Sequence, residues 1–438
     1  MIQSRTRKRA GSYACASHHY RDLTIAALSA RLQTRTRKRA GSSACQSVPI
    51  RDLTIAALYA VKILYLAHRI PYPPNKGDKI RSFHEIKHFS RNHQLHLLAF
   101  DDNPGDARHA DALLRLCSTV EIVPLDSRRQ STRALLSMLS GNPWTLGYFR
   151  SPEMQRKVAA KLKDANLAFV YSSSMAPYVA NAPVPKVLDF VDSDAAKWQQ
   201  YSERKSPSFL YSYEAHRLAQ FEQQMTARFD FSVFVSPREA EHLPKSDRIR
   251  FITNGIDLDF YQPINTNTKS HDIIFTGLMD YFPNIDAAVF FARDVFPLIR
   301  SRVPDARFVI AGARPSASVK RLIRIPGVTI TGTVPDIRPY LAQSRVAVVP
   351  LRISQGIQNK VLEALAMGLP VVTTPQVASG LPELPLSVAE DVSSFASAVT
   401  QCLLSPSRPE GARELLKKHY DWPTNLSKFD ELLLRANP

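Results

Sequence analysis

The stretch VAVVPLRISQGIQNKVLEALAMGLPVVTT, residues 346–374, decides the fold. It begins with an apolar run rich in β-branched residues, as is typical of a buried parallel strand. A polar loop follows, and then Asn359–Met367, whose apolar side chains recur at helical spacing. Gly368 and Pro370 end that helix before a second strand begins at Val371. The pattern predicts a loop and a helix N-terminus at the carboxyl end of a parallel strand, where open α/β sheets bind ligands.

Two charged side chains of this helix suit a phosphorylated ligand. Lys360 and the positive end of the helix dipole both favour a phosphate group at the start of the helix. Glu363 lies one turn further along, where its carboxylate can accept hydrogen bonds from a ribose diol.

Composition indicates a globular protein with two domains. The 438 residues suffice for two α/β domains of ordinary size, and 44% of them are hydrophobic. The longest uncharged stretch, Ala364–Pro382, is interrupted by prolines and glycines, so we predict no membrane-spanning helix. The four cysteines have no metal-ligand spacing and indicate a reducing compartment without disulfides.

The net charge of +18 is unevenly distributed. Residues 1–60 carry 11 Lys/Arg and 2 Asp/Glu, whereas the other 378 residues carry 46 and 37. A basic protein fits an anionic membrane surface, a nucleoside diphosphate or nucleic acid, and equally a basic surface without a partner. Because no recognised nucleic-acid motif accompanies the charge, we predict no nucleic-acid partner.

Residues 1–60 contain a tandem repeat in which 3–30 recur as 33–60. Both copies include RTRKRAGS and RDLTIAAL. Two copies are too few for a solenoid, and the apolar core is too short for a targeting signal. We predict a disordered or spurious extension, with a basic membrane or nucleic-acid arm as the alternative.

From Val61 onward, strand and helix patterns alternate, which predicts parallel, doubly wound sheets. The first unit is strand Lys62–Ala67, a Pro-rich loop and a helix from Asp78. Gly77 in that loop lets the backbone approach a diphosphate. His68 and His84 are candidate bases, although a lone histidine is more often structural.

The 346–374 stretch resembles the donor site of glycosyltransferase family 4, whose members are retaining enzymes with the GT-B fold. LEALAMGLPVV (362–372) matches the family helix that carries the second of two glutamates placed eight residues apart. Asn254–Asp257 (NGID) resembles the turn by which the family enters its second domain. Four segments resemble more narrowly the sugar transferases of PEP-CTERM/exosortase exopolysaccharide systems: HRIPYPPNKGDKIRSFH (68–84), DFVDSDAAKW (189–198), GLMDYFPNIDA (277–287) and GIQNKVLEALAMGLPVV (356–372).

The resemblance begins at Val61 and implies a domain organisation. We expect an N-terminal, acceptor-side Rossmann-like domain at 61–263 and a C-terminal, nucleotide-sugar-binding Rossmann-like domain at 264–420, facing each other across a cleft. The tail 421–438 is then a helix that packs back on the first domain.

The resemblance also implies an activity. We expect a metal-independent hexosyltransferase that moves a sugar, with retention, from a nucleoside-diphosphate sugar to a glycan or lipid-linked acceptor in exopolysaccharide or cell-surface polysaccharide biosynthesis. No cofactor is implied beyond that co-substrate, and the enzyme is expected to be cytoplasmic, peripheral on the inner face of the membrane. The predicted catalytic residues are Asp192 and Lys360. The predicted donor-binding residues are Gly77, Gly277, Val334, Arg352, Gln355, Gly356, Asn359, Lys360 and Glu363.

Two departures from the family concern the donor site. Gln355 occupies the place of the first glutamate, so hydrogen bonding is retained but the charge is lost. Leu278 and Pro283 occupy places where many relatives have a phosphate-binding Arg and Lys. Phosphate neutralisation is then expected from Lys360 and the helix N-terminus. Further candidate cations are Arg352, Lys76 and Lys79.

A third departure is on the acceptor side. Asp192 is the residue of this sequence nearest to the position at which some relatives have a histidine. Asp192-Ser193-Asp194 also spells the D-x-D that glycosyltransferases of a different fold use to bind a metal, but the Rossmann-like organisation favours the metal-independent fold. The alternative for Asp194 is a cap on a helix from Ala195. The departures leave a second hypothesis open: a non-catalytic GT-B scaffold protein of the same pathway.

Overall fold

The computed structural model describes residues 61–102, 105–264, 273–405 and 408–436. The repeat, with the extension predicted there, lies outside these residues, as do residues 265–272 at the start of the predicted second domain. No helix in the described ranges is long and apolar enough to cross a membrane.

The first domain is a parallel sheet covered by helices on both faces. Its strands are β1 (Lys62–Ala67), β2 (Gln94–Asp101), β3 (Thr119–Pro124), β4 (Leu167–Tyr171), β5 (Lys186–Val191), β6 (Phe231–Phe234) and β7 (Ile249–Phe251). Its helices are α1 (Gly77–Phe89), α2 (Ala110–Leu114), α3 (Ser127–Leu139), α4 (Trp144–Tyr148), α5 (Pro152–Leu162), α6 (Asp194–Arg204) and α7 (Ser208–Arg228), with short 3-10 helices at Asp106–His109, Ser173–Tyr178 and Pro237–Ala240. The strand order is β3-β2-β1-β4-β5-β6-β7, and the central β4 is buried along its whole length.

The second domain repeats this plan. Its strands are β8 (Ile273–Thr276), β9 (Phe308–Ala311), β10 (Val328–Gly332), β11 (Val346–Val349), β12 (Val371–Thr373) and β13 (Ser387–Val388), in the order β10-β9-β8-β11-β12-β13. Its helices are α8 (Phe282–Phe290), α9 (Phe296–Arg302), α10 (Ala317–Lys320), α11 (Arg338–Ala342), α12 (Asn359–Ala366), α13 (Pro375–Ala378), α14 (Val392–Leu404) and α15 (Ala412–His419). The strand order reverses direction between β8 and β11, and α12 begins beyond that point.

One predicted helix is interrupted. The sequence pattern indicates a single helix over 285–302, but α8 and α9 are separated by a π-helical turn at Phe291–Val295. Pro297 lies in the first turn of α9, and its ring and missing N–H are incompatible with a continuous α-helical ladder. The wider turn absorbs that conflict.

The chain crosses between the domains at two adjacent places. Ile256 donates its backbone N–H to Tyr420 O at 2.7 Å, and Gly255 packs against the ring of Trp422. The final helix, α16 (Trp422–Ala436), then lies on the first domain. Its Phe429 ring packs 5.3 Å from Phe169 of β4, so α16 completes the core of the first domain.

Candidate functional site

Lys360 lies in the first turn of α12 with its ammonium group turned inward. Its Nζ donates to the Asn284 side-chain oxygen at 2.6 Å and lies 4.6 Å from the centroid of the Phe275 ring. Burial lowers the pKa of Lys360 to about 7, and the carboxylate of Glu363 only partly offsets burial. The side chain of the N-cap residue, Gln358, makes no capping hydrogen bond. The N-terminus of α12 therefore combines the Lys360 cation, hydrogen-bonded to a neutral amide, with backbone N–H groups suited to an anion.

Gly277, directly after β8, forms one wall beside this ammonium group. Its φ is +153°, and a Cβ built on it would lie 2.7 Å from Asn284 Nδ2 and 3.1 Å from Lys360 Nζ. Asn284 is itself fixed, because its Nδ2 donates to Leu278 O at 2.9 Å. A side chain at position 277 would fill the space beside Lys360, which explains a glycine there.

Glu363 lies one turn further along α12 and is half-buried. Burial raises the pKa of Glu363, and a hydrogen bond from the Tyr261 hydroxyl together with Lys360 opposes that rise. Arg413 fixes this part of the domain because its guanidinium donates to Tyr261 O at 2.7 Å and to Ala366 O at 2.6 Å. Glu363 is thus a positioned acceptor beside the proposed phosphate site.

The loop before α12 contacts the first domain through Glu239, a buried residue near the carboxyl end of β6. The Glu239 carboxylate accepts from Gly356 N at 2.9 Å and from Ser193 N at 3.0 Å. With its amide oriented to suit its neighbours, Gln355 donates Nε2 to Glu239 Oε2 at 3.0 Å and accepts from Gln200 Nε2 at 2.6 Å. The amide at position 355 is therefore paired with a carboxylate from the opposite domain.

Asp192 reaches this loop from the end of β5. A Cβ on Gly356, whose φ is +64°, would lie 3.3 Å from Asp192 Oδ2. Val191, just before it, has a φ of +70°, a left-handed conformation that is strained for a β-branched residue, and the β5–β6 register shifts there. Burial raises the pKa of Asp192 to about 7; Lys197 opposes the rise, whereas Glu239 and Asp194 add to it. Such a carboxyl group can hold or release a proton near neutral pH.

Lys197 and Tyr281 complete a pocket between the two domains. Residues from both domains line it, including Asp192, Lys197, Tyr281, Asn284 and Gln355. The Lys197 ammonium group pairs with Asp194, which also accepts from Ser173 Oγ at 2.6 Å. Ser193, rather than Asp194, caps α6 by accepting from Ala196 N at 3.0 Å. Asp194 is therefore committed to the Lys197 ion pair.

The other predicted donor residues are dispersed. Gly77 is the first residue of α1, and a Cβ on it would lie 4.0 Å from the Asn359 side-chain amide nitrogen. The loop before α1 therefore lies close to the N-terminus of α12. Val334 lies in the loop between β10 and α11. Arg352 donates from Nε and Nη2 to the two carboxylate oxygens of Asp286, at 2.8 and 2.5 Å, and lies over the Phe290 ring. Its charge is thus already balanced.

The remaining candidate cations and bases also have partners. Lys79 is buried in an ion pair with Asp106, and Lys76 lies 3.3 Å from Asp78. His84 stacks on Trp422 with ring centroids 4.5 Å apart, beside the crossover rather than in the pocket. His68 lies 3.7 Å from Asp78 and stacks on Tyr171. Of the lysines and arginines singled out from the sequence, Lys360 is the one whose described polar contacts include no ion pair within 4.0 Å.

Sequence reasoning missed Asn284, Lys197 and Glu239. Asn284 has a local signal, since it lies in the quoted segment 277–287, and Lys197 lies in 189–198. Glu239 has none, because its partners are 46 and 117 residues away.

Comparisons with known proteins bear on the fold and the class of protein. Residues 270–405, which include α12, match the family model of glycosyl transferases group 1. The chain is similar to the solved structures of sucrose-phosphate synthase from Thermosynechococcus elongatus (14% identity, TM-score 0.61, covering 86% of this chain and 98% of that one) and of HepE from Anabaena in complex with UDP and glucose (13%, 0.63, 86% and 100%). It is also similar to a UDP-forming α,α-trehalose-phosphate synthase from Burkholderia vietnamiensis (12%, 0.57, 85% and 100%). No curated protein sequence matches significantly.

The predicted GT-B fold is confirmed by these likenesses and by the two parallel sheets. The family match and the fold together support a glycosyltransferase.

Proposed function

We propose that the protein is a retaining, metal-independent glycosyltransferase that moves a hexose from a nucleoside-diphosphate sugar to a glycan or lipid-linked acceptor. One observation carries the proposal: the Lys360 ammonium group lies at the uncapped N-terminus of α12 and donates to Asn284, which lines a pocket together with Asp192 of the other domain. HepE, a structural neighbour, is solved with UDP and glucose, which supports a nucleotide-sugar donor here.

The diphosphate is assigned to the N-terminus of α12. A bound diphosphate supplies the negative charge that Lys360 lacks in the protein, so binding favours its protonated form. Glu363 accepts hydrogen bonds from the ribose, and the loop that carries Val334 flanks the base. No further cofactor and no metal is required in this scheme.

The reaction then needs little covalent chemistry from the protein. The bond between the anomeric carbon and the diphosphate oxygen breaks, and the developing charge on that oxygen is stabilised by Lys360 and the helix dipole. The acceptor hydroxyl oxygen forms the new bond on the same face of the sugar, and its proton passes to the departing phosphate oxygen. Asp192 orients that hydroxyl, while Gln355 contacts the transferred sugar through the pocket.

Helix α3 supports a peripheral membrane location at the inner face of the cytoplasmic membrane, where a lipid-linked acceptor of exopolysaccharide synthesis resides. Leu135, Leu136 and Leu139 are 52%, 59% and 72% exposed, and Arg128 and Arg129 are exposed one to three turns earlier. Exposed leucines beside arginines suit an anionic bilayer surface. We expect the protein to sediment with phosphatidylglycerol vesicles, and the triple Leu→Ser variant at these positions to sediment less.

The test of the donor site is nucleotide binding by the full chain. We expect one of UDP, GDP, ADP or TDP to bind, and Lys360→Met or Glu363→Ala to weaken binding roughly 10- to 100-fold, because each removes a hydrogen bond to or from a charged group. Lys418→Met, which changes an exposed lysine of α15, is the matched control.

The chemistry is tested next with the matching sugar donors. NMR of the product should show that the anomeric configuration is retained. Nucleotide binding without turnover on any donor and acceptor favours the scaffold alternative. The observation that supports this alternative is the neutral Gln355. Absence of nucleotide binding overturns the proposed function.

A further inference from the structure

Aromatic rings gather at one side of the pocket between the domains. Trp144 of α4, Trp198 and Tyr201 of α6, Tyr211 of α7 and Phe282 of α8 form what we call the aromatic cluster. The ring centroids of Trp144 and Trp198 are 5.1 Å apart, those of Trp198 and Tyr211 are 5.8 Å apart, and Tyr201 meets Phe282 across the domains at 5.7 Å.

The cluster adjoins the pocket directly. Trp198 follows Lys197, which lines the pocket, and both lie in the helix that begins two residues after Asp192. The Tyr201 hydroxyl is hydrogen-bonded to that of Tyr281, another residue of the pocket wall. Through this hydrogen bond the aromatic cluster borders the pocket that Asp192 lines.

The tryptophans here are not core residues. Trp144, Trp198 and Tyr211 are half-buried, whereas Trp422 in the crossover helix is only 5% exposed. Partly exposed aromatic rings beside a few polar groups are typical of small-molecule sites. The apolar C–H face of a pyranose ring is complementary to such a π face, while its hydroxyls remain free for polar contacts.

The cluster is also held rigid. Glu214, fully buried in α7, accepts from Trp144 N at 2.8 Å and from Thr145 N at 2.9 Å, which fixes the start of α4. The Lys205 ammonium group lies 4.6 Å from the Tyr201 centroid and 4.2 Å from the Phe282 centroid and so ties the two domains together. Preorganised rings bind a ligand at a lower entropy cost.

From this juxtaposition we infer that the aromatic cluster is the subsite for the acceptor glycan. A pyranose ring stacks on Trp198 and Trp144 and directs its hydroxyl toward Asp192. The inference rests on the proposed glycosyl transfer and names the acceptor as a glycan of at least one ring rather than a bare lipid or a non-sugar alcohol.

Intrinsic fluorescence provides a direct test, since the chain has 3 tryptophans. Trp422→Phe removes the buried tryptophan outside the cluster, so the remaining emission reports on Trp144 and Trp198. Titration with maltotriose, cellotriose and a trisaccharide containing glucuronic acid should give a saturable change with at least one of them. No change with any of the three overturns the inference.

Variants then locate the binding. Trp198→Ala should lower the affinity for the trisaccharide about tenfold or more. Trp198→Phe should lower this affinity less, because an aromatic ring remains. Phe209→Ala, which removes a 70% exposed ring outside the cluster, is the matched control and should leave affinity unchanged. Equal affinity in Trp198→Ala and wild type overturns the inference.

Nucleotide affinity, measured by calorimetry on the same proteins, separates the two proposals. Trp198→Ala should bind the nucleoside diphosphate as wild type does, which also shows that the variant is folded. Glycan binding that is lost while nucleotide binding persists supports the subsite. Glycan binding by a wild-type protein that binds no nucleotide refutes the donor site and leaves the subsite standing.

Discussion

Each domain has an inward-turned cation near the domain boundary, and the two cations differ in the charge of their hydrogen-bonding partners. Arg81 of α1 is fully buried, with Nε 2.6 Å from Asp189 Oδ2 and 3.1 Å from Glu85 Oε1. Burial lowers the pKa of Arg81, but the two carboxylates outweigh burial and raise it. Lys360 has a neutral amide as its hydrogen-bonding partner, and its pKa falls to about 7. The first cation is balanced within the protein, whereas the second is left for a ligand to balance.

The side chain of Asn254 links Arg81 to Asn359, the residue before Lys360. Asn254 accepts from Arg81 Nη1 at 3.1 Å and donates from Nδ2 to the Asn359 side-chain oxygen at 3.2 Å. Asn254 lies where the chain passes from the first domain to the second, and Asn425 of the crossover helix donates to its carbonyl at 3.1 Å. The balanced Arg81 network therefore supports the start of the helix that carries Lys360.

The largest difference is expected in stability. Arg81→Met should lower the free energy of unfolding by about 3–5 kcal/mol, because it leaves two carboxyl groups buried without their cation. Lys360→Met should not lower it at pH 7, because a desolvated charge is replaced by an apolar chain of similar length. Urea denaturation followed by circular dichroism measures both values, and equal losses would contradict the comparison.

The second prediction concerns pH. The unfolded-state pKa of Lys360 is close to 10.5 and the folded value is about 7, so between these pH values the unfolded chain binds more protons. The contribution of this residue to the free energy of unfolding therefore rises as pH increases from 7 toward 10. The Lys360→Met variant should lack this pH dependence.

Nucleotide affinity should move in the opposite direction. A diphosphate binds the protonated amine, so affinity falls by up to about tenfold per pH unit above pH 7, until the pKa of the bound form is reached. Calorimetry in buffers of different ionisation enthalpy should detect proton uptake at pH 8 in wild type and none from this residue in Lys360→Met. Uptake that persists unchanged in the variant would rule Lys360 out as its source.

The fold was predictable from local patterns, because each strand of a doubly wound sheet is a short apolar run flanked by turn residues. Lys360 and Glu363 were recognisable for the same reason, since one helix carries both. The pairing of Arg81 with Asp189 spans 108 residues, and that of Glu239 with Gly356 spans 117. Periodicity and capping carry no information about such contacts, which only tertiary packing creates, within the first domain for Arg81 and between the domains for Glu239.

The strain at Val191 was equally invisible. Val191 belongs to an apolar run that reads as an ordinary strand, and nothing in its spacing indicates a positive φ. The left-handed conformation arises because the end of β5 turns to place Asp192 at the pocket while Asp189 remains bonded to Arg81.

The smallest expected effect concerns Gln355, whose neutral amide faces the Glu239 carboxylate. A carboxylate at position 355 would leave a negative charge without a balancing cation, whereas Lys360 is a positive charge without a balancing anion. In Gln355→Glu, two carboxyl groups would lie about 3 Å apart, which raises the pKa of one above its unfolded value. The variant should therefore lose about 1–2 kcal/mol of stability at pH 8 and much less at pH 5, where the shared site holds a proton in the folded state. The exchange variant Gln355→Glu/Glu239→Gln keeps one amide and one carboxylate and should recover part of the loss at pH 8, since a glutamine at 239 can accept only one of the Gly356 and Ser193 N–H groups. If the double variant is no more stable than the sum of its single changes, the two side chains are not coupled, and the charge state of position 355 does not depend on the opposite domain.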